Sequence, residues 1–327
     1  MSNKVFWLAL CAVLFALCLS AEAQRPNKIT RLGVLIGASP SATSGRIEAF
    51  RQGLRELGYA EGKNIVIEYR YAEGKLDQLP ALAAELVRLK VDVILTSGAA
   101  STRPAKKATN TIPIVMAQDN DPVGNGFVAS LARPGGNITG LSTLAPEISG
   151  KQLELLKEIV PRLSRVVVLG TSNNPGTAQA LRETELAARA FGVQLQYLDV
   201  LAHKDIETAF REARKGRADA VLVLVSAVFN SHRPEVIDLA VKSRLPVTYY
   251  APEWVEDGGL MNYGVSFTDS YRRAATYVDK ILKGAKPADL PVEQPIKFEV
   301  TINLKAAKQI GITIDPNLLA RANRLIK

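Results

Sequence analysis

The chain has 327 residues, 47% of them hydrophobic, with 17 prolines spread along its length and a formal charge of +9. That size buries one large or two medium cores, and the composition excludes both a small stapled scaffold and an unfolded polar chain. Apart from Arg25, Lys28 and Arg31, the basic residues alternate with Asp and Glu on predicted helices; the charge reads as solvated surface, and no nucleic acid partner is expected.

At the start, Lys4 precedes an unbroken apolar stretch over 5–19, followed by Ala21-Glu22-Ala23 and the polar run Gln24-Arg25-Pro26-Asn27. This is the pattern of a secretory signal with an A-x-A cleavage site after Ala23. The apolar run of about 15 residues is shorter than the ~20 that span a bilayer, and no comparable stretch recurs. Lipid attachment through Cys18 is opposed by Leu17, a bulky residue where a small one is required. Cys11 and Cys18 both lie in this signal, so a mature periplasmic chain carries no cysteine.

Strand-like runs then alternate with amphipathic stretches, the pattern of parallel α/β layering. A strand at 32–36 leads through a small-residue loop to a helix whose face is Ile47, Phe50, Leu54 and Leu57, closed by Gly58. Strands follow at 65–71, 91–96 and 114–116, with helices near 79–89 and 101–109 between them. Turn formers crowd 119–137, which predicts a first crossing between domains near Gly140. A second set follows: helix 149–159, strand 165–169, helix 177–191, strand 194–198, helix 205–214, strand 220–225, helix 233–242 and strand 247–250. The last elements, 260–263, 268–283 and 297–302, are too few to enclose a core and are expected to complete the two earlier sheets. The expected division is 1–23 signal, 24–140 with 256–287 as the first lobe, and 141–255 with 288–327 as the second. A chain that crosses more than once makes a hinge, a device for closing over a ligand; the alternative is one large doubly wound sheet.

Catalytic constellations are missing. The mature chain has two histidines, His203 and His232, no His-Glu-x-x-His or His-x-x-x-His pairing, and no Gly-x-Ser-x-Gly. His203 opens a polar helix start and reads as solvent-facing, whereas His232 suits a turn or a pocket. Gly124-Asn125-Gly126 lacks the third glycine of a dinucleotide fingerprint. Asp119 and Asp121 read as a turn-capping or cation-binding pair. No metal or cofactor is expected.

In open α/β sheets ligands bind at the carboxyl ends of strands. The candidate ligand residues there are Ser41 and Ser44 after the first strand, Ser97 and Ser101 after the third, and Gln118 and Asp121 after the fourth. The second half adds Ser172 and Asn174, Ser226, and Tyr250. Hydroxyls at helix starts can hold a carboxylate without an arginine, and Asp121 or Glu253 can hold an ammonium, so the set suits a zwitterion. N-capping and turn chemistry serve each of these residues equally well. Tyr249, Tyr250 and Trp254 offer either stacking or core.

Asp121-Pro122-Val123, then Leu131-Ala132-Arg133-Pro134-Gly135-Gly136-Asn137-Ile138-Thr139-Gly140, then Gly258-Gly259-Leu260-Met261-Asn262-Tyr263-Gly264, and the run 274–295 form an ordered series. It strongly resembles the tryptophan/tyrosine-type substrate-binding proteins of bacterial ABC transporters, over essentially the whole mature chain. The resemblance implies a type I periplasmic-binding-protein fold with two Rossmann-like lobes joined by three strands. It also implies a monomeric receptor without enzymatic activity, a small-molecule ligand, and delivery to a membrane permease coupled to a cytoplasmic ATPase, with only peripheral contact with that membrane complex. Asp121 is then the candidate ammonium contact, and Ser97 and Ser101 flank a carboxylate site. Gln118 departs from the small or hydrophobic residue expected before the motif. The functional alternatives are a receptor that signals to a membrane kinase and a secreted α/β enzyme using Asp119 or Asp121.

Overall fold

Strand β1, Thr30–Ile36, alternates between two cores: Leu32, Val34 and Ile36 point to one face and Leu35 to the other. Burial on both faces is what a central parallel strand requires, and its run of branched apolar residues supplies it. The computed structural model describes residues 29–327 except 144, 175, 296 and 297, so the predicted signal, with both cysteines, lies outside the described residues. β1 is flanked by β2 (Ile65–Tyr71) and β3 (Val93–Ser97), and β4 (Ile114–Gln118) and β5 (Ile138–Gly140) complete an all-parallel sheet in the order β2-β1-β3-β4-β5. Helices α1 (Pro40–Glu56), α2 (Leu79–Arg88) and α3 (Ala99–Ala108) cover it.

The second sheet repeats that winding. β6 (Arg165–Gly170) lies between β7 (Gln194–Asp199) and β8 (Ala220–Val223), and β9 (Val247–Tyr249) and β10 (Met261–Gly264) follow. Its helices are α4 (Ala145–Ile159), α5 (Thr177–Phe191), α6 (Lys204–Lys215), the short α7 (Ala227–Ser231), α8 (Arg233–Ser243) and the short α9 (Pro252–Glu256). β11 (Glu299–Asn303) joins β10 antiparallel and β12 (Arg324–Ile326) joins β11, with α11 (Leu304–Ile310) and α12 (Pro316–Arg321) between them. The two sheets exclude the single large sheet.

Helix α10 (Phe267–Leu282) returns to the first lobe, where Tyr271, Ala274, Ala275 and Val278 pack into the same core as Phe50 and Leu54 of α1. Gly53 permits this approach, since a Cβ there would stand 2.5 Å from the carbonyl oxygen of Arg272. The chain thus passes between the sheets after β5, after β10 and before β11.

Two boundaries differ from the sequence expectation. β10 falls in 256–287, assigned to the first lobe, yet it is hydrogen-bonded between β9 and β11 of the second sheet. Residues 288–293, assigned to the second lobe, run along the first: Thr139 Oγ1 donates to Leu290 O, Val292 N to Leu131 O and Glu293 N to Gly140 O. These bonds along β5 and its neighbouring loop decide where the chain leaves this lobe.

Candidate binding site between the lobes

The carboxyl ends of β1, β3 and β4 face those of β6, β8 and β9 across a cleft, and a polar cavity lies between them. From the first lobe it is lined by Gly37, Thr43, Arg46, Ser97, Gly98 and Gln118, and from the second by Asn174, Ser226, Asn230 and Tyr250, among others. A second, more apolar cavity adjoins it through Asn120, Val225 and Tyr250, with Ile148, Ala180, Leu224, Val265 and Phe267 on its walls.

Arg46 dominates the electrostatics. It sits on the buried stripe of α1 with Thr43, Ile47 and Phe50 and is 4% exposed. Its Nε donates to Oε1 of Glu253 at 3.0 Å, and its guanidinium lies over the Phe267 ring, 4.6 Å from the centroid. Burial opposes the charge most strongly of any single influence, but Glu253, Tyr271 and Tyr250 together outweigh it and hold the guanidinium above its ordinary value. Nη2 of Arg46, Oε1 of Gln118 and Oδ1 of Asn230 are buried without a hydrogen-bond partner among the described residues. A buried polar atom left unpaired costs about 1–3 kcal/mol, so one donor and two acceptors on the cavity wall are matched only by a polar occupant. Gly98, at φ 76°, is the N-cap of α3, whose first residues Ala99 and Ala100 also line the cavity. A helix start offers unpaired amides and partial positive charge to an anion.

The lobes touch around this cavity. Besides Arg46 and Glu253, Ser39 N donates to Ser231 Oγ at 3.1 Å, Arg233 Nη1 to Ala42 O at 3.4 Å, and Gln179 Nε2 to Asp121 Oδ2 at 2.6 Å. A Cβ on Gly37 would stand 3.1 Å from that of Ala227. This is a closed arrangement.

Five of the ten sequence candidates line the polar cavity: Ser97, Gln118, Asn174, Ser226 and Tyr250. Their groups are partly used: Asn174 Nδ2 donates to Val225 O, Ser226 Oγ caps α7, and the Tyr250 hydroxyl donates to Ser226 O. The other five are outside it. Ser41 and Ser44 are on the exposed side of α1, where the Ser44 hydroxyl donates to Ser41 O. Ser101 turns back to Ser97 O, and Ser172 is held by Asp199 through both its amide and its hydroxyl. Asp121 accepts from Gly124 N and Gln179 Nε2, so its carboxylate fastens a turn and the two lobes. Asp119 caps the same turn, accepting from Asp121 N and Asn125 Nδ2, and burial pushes its carboxyl up to about 7. Trp254 and Tyr249 are fully buried and stacked on each other at 4.8 Å, which is the core reading of the aromatic cluster.

Arg46 and Asn230 were missed. Arg46 carried a signal, a lone basic residue on the apolar face of an amphipathic helix, whereas Asn230 lies on α7, too short for periodicity to reveal.

A family model described as ABC transporter substrate binding protein matches residues 33–326. The chain belongs to that family. This substrate-binding protein is 25% identical over 265 residues to a tyrosine-binding protein of Clostridioides difficile strain R20291, covering 81% of its own length and 76% of the relative's. Among solved structures it is similar to a conserved domain protein of Vibrio cholerae, at TM-score 0.86 and 30% identity, covering 91% of this chain and all of that one. It is similar also to an ABC domain of Streptococcus pneumonia in complex with L-Trp, at TM-score 0.84 and 27% identity, covering 91% and 99%. Its fold is that of the type I periplasmic binding proteins, and its function is that of a solute-binding receptor. Among the described residues no helix is long and apolar enough to cross a membrane.

Proposed function

We propose that this protein is the exported periplasmic receptor of an ABC importer, and that it binds an amino acid, with aromatic ones preferred, in the polar cavity and its apolar neighbour. The observation that carries this reading is the set of buried unpaired groups on both walls: Arg46 Nη2 from the first lobe, with Gln118 Oε1, and Asn230 Oδ1 from the second. The ligand carboxylate pairs with Arg46 and the start of α3, and its ammonium with the two amide oxygens. The side chain lies against Tyr250 and enters the apolar cavity. The related proteins that bind tyrosine and tryptophan support an aromatic ligand.

Because both lobes contribute, ligand contacts favour the closed form over the open one, and closure is a population shift. The closed, monomeric protein is then what the permease and its cytoplasmic ATPase receive. The lining residues support carriage without catalysis: neither His203 nor His232 lines either cavity, so no nucleophile there has a histidine base.

The test is isothermal titration of the chain from Gln24, unfolded and refolded to remove carried-over ligand, against the amino acids and small aromatic acids. Saturable binding of an aromatic amino acid, weakened in Arg46→Met, supports the reading. Binding only of ligands without a carboxylate, or turnover of a bound compound, overturns it.

A further inference from the structure

Away from the cavity, the fold brings together three residues that no local sequence motif joins. His203 is the N-cap of α6, His232 links α7 to α8, and Glu235 is in the first turn of α8. Nε2 of His203 lies 2.6 Å from Oε2 of Glu235. The two imidazoles are stacked, with centroids 4.0 Å apart and planes at 3°. One donor atom from each residue falls within 4.8 Å of the others.

We propose that His203, His232 and Glu235 form a binding site for a transition-metal dication of the zinc class. Two imidazoles and a carboxylate are donors of the right softness for zinc, copper or nickel. Three protein ligands leave further positions for water, as in open zinc sites. Ligand atoms about 2.1 Å from an ion are roughly 3.0–3.5 Å from one another, so the set must contract by about an ångström. His203 can make that movement, because its side chain is 60% exposed and free to tilt out of the stack. In the metal-free state an ionised Glu235 only accepts, so His203 Nε2 carries the proton between them. For Nε2 to bind the ion, the neutral ring carries its N–H on Nδ1 instead, and only a ring protonated on both nitrogens releases a proton on binding.

Two helix starts converge here, and their partial positive charge disfavours a cation. Glu235 opposes this field, which makes the carboxylate as necessary as the imidazoles. The site is also beside the cleft: its neighbours Ser231 and Arg233 each hold the first lobe, through Ser39 N and Ala42 O. An ion on His232 therefore braces the segment that carries two of the contacts between the lobes.

The experiment uses the untagged chain from Gln24, treated with EDTA and dialysed, and titrated with Zn²⁺ calorimetrically in two buffers of different ionisation enthalpy. One ion per chain is expected, with about ten-fold or greater weakening in His203→Ala, in His232→Ala and in Glu235→Gln. Absence of binding, or equal affinity in the His203→Ala variant, overturns the site. His203 is exposed, so that variant decides the matter even if His232→Ala fails to fold. The result is independent of the amino-acid ligand.

Discussion

Nε of Arg46, on the first helix of one lobe, lies 3.0 Å from Oε1 of Glu253, on a short helix of the other. The pair spans the cleft, so it exists only when the lobes are together, and it leaves Nη2 of the same guanidinium for a ligand. Arg46→Met keeps most of the side-chain volume and removes the charge. We expect it to weaken binding of a carboxylate ligand by about 100-fold, the ~2.7 kcal/mol of a charged hydrogen bond. Glu253→Gln removes only the attraction between lobes and should cost about ten-fold with selectivity unchanged. Titration calorimetry of both variants against the same ligands checks the split.

Gly37 lies at a close approach between the lobes. Gly37→Val places methyl groups where a Cβ alone would already be 3.1 Å from Ala227. The expected result is an open protein. Ligand affinity falls by more than ten-fold, and small-angle scattering with ligand keeps the larger radius of gyration of the ligand-free form.

Asp121 makes the opposite prediction from the one its sequence position suggests. As an ammonium contact it would be indispensable. As the acceptor for Gln179 Nε2 and Gly124 N it assists closure, so Asp121→Asn should lower affinity by less than about ten-fold, while Asn230→Ala and Gln118→Ala lower it more. A ranking by calorimetry with Asp121→Asn as the most damaging variant would return the ammonium to Asp121.

Asp119 makes stability depend on pH. Burial raises its folded pKa from 3.8 to about 7. A carboxyl raised in the folded state favours folding while protonated, so this contribution is fully present below about pH 4 and is lost as pH rises through about 7. Its size is on the order of a few kcal/mol. Asp119→Asn, measured by urea denaturation at pH 4, 5.5 and 7, should flatten this part of the profile.

Much of the architecture was legible because buried parallel strands and amphipathic helices carry strong patterns; Ile65–Tyr71 and Thr177–Phe191 have the predicted bounds. The site was only half legible, for a different reason. Hydroxyl-rich loops mark strand ends, but whether Ser41 faces a cavity or solvent depends on which side of α1 the other lobe covers. Asn230 and Glu253 lie on five-residue helices without periodicity. Asp121 was chemically suited to an ammonium, and only the position of Gln179, 58 residues later, shows that another group has taken it.

The return of α10 to the first lobe has a consequence for the order of folding. Phe50 and Leu54 share a core with Tyr271, Ala274 and Val278, which are more than 200 residues further along. A polypeptide emerging from its amino end cannot seal the first lobe until nearly all of the second has appeared. A fragment ending before residue 267 would therefore expose the apolar face of α1 to water. The lobe made first is finished last, and the growing chain stays soft and unsealed for most of its synthesis.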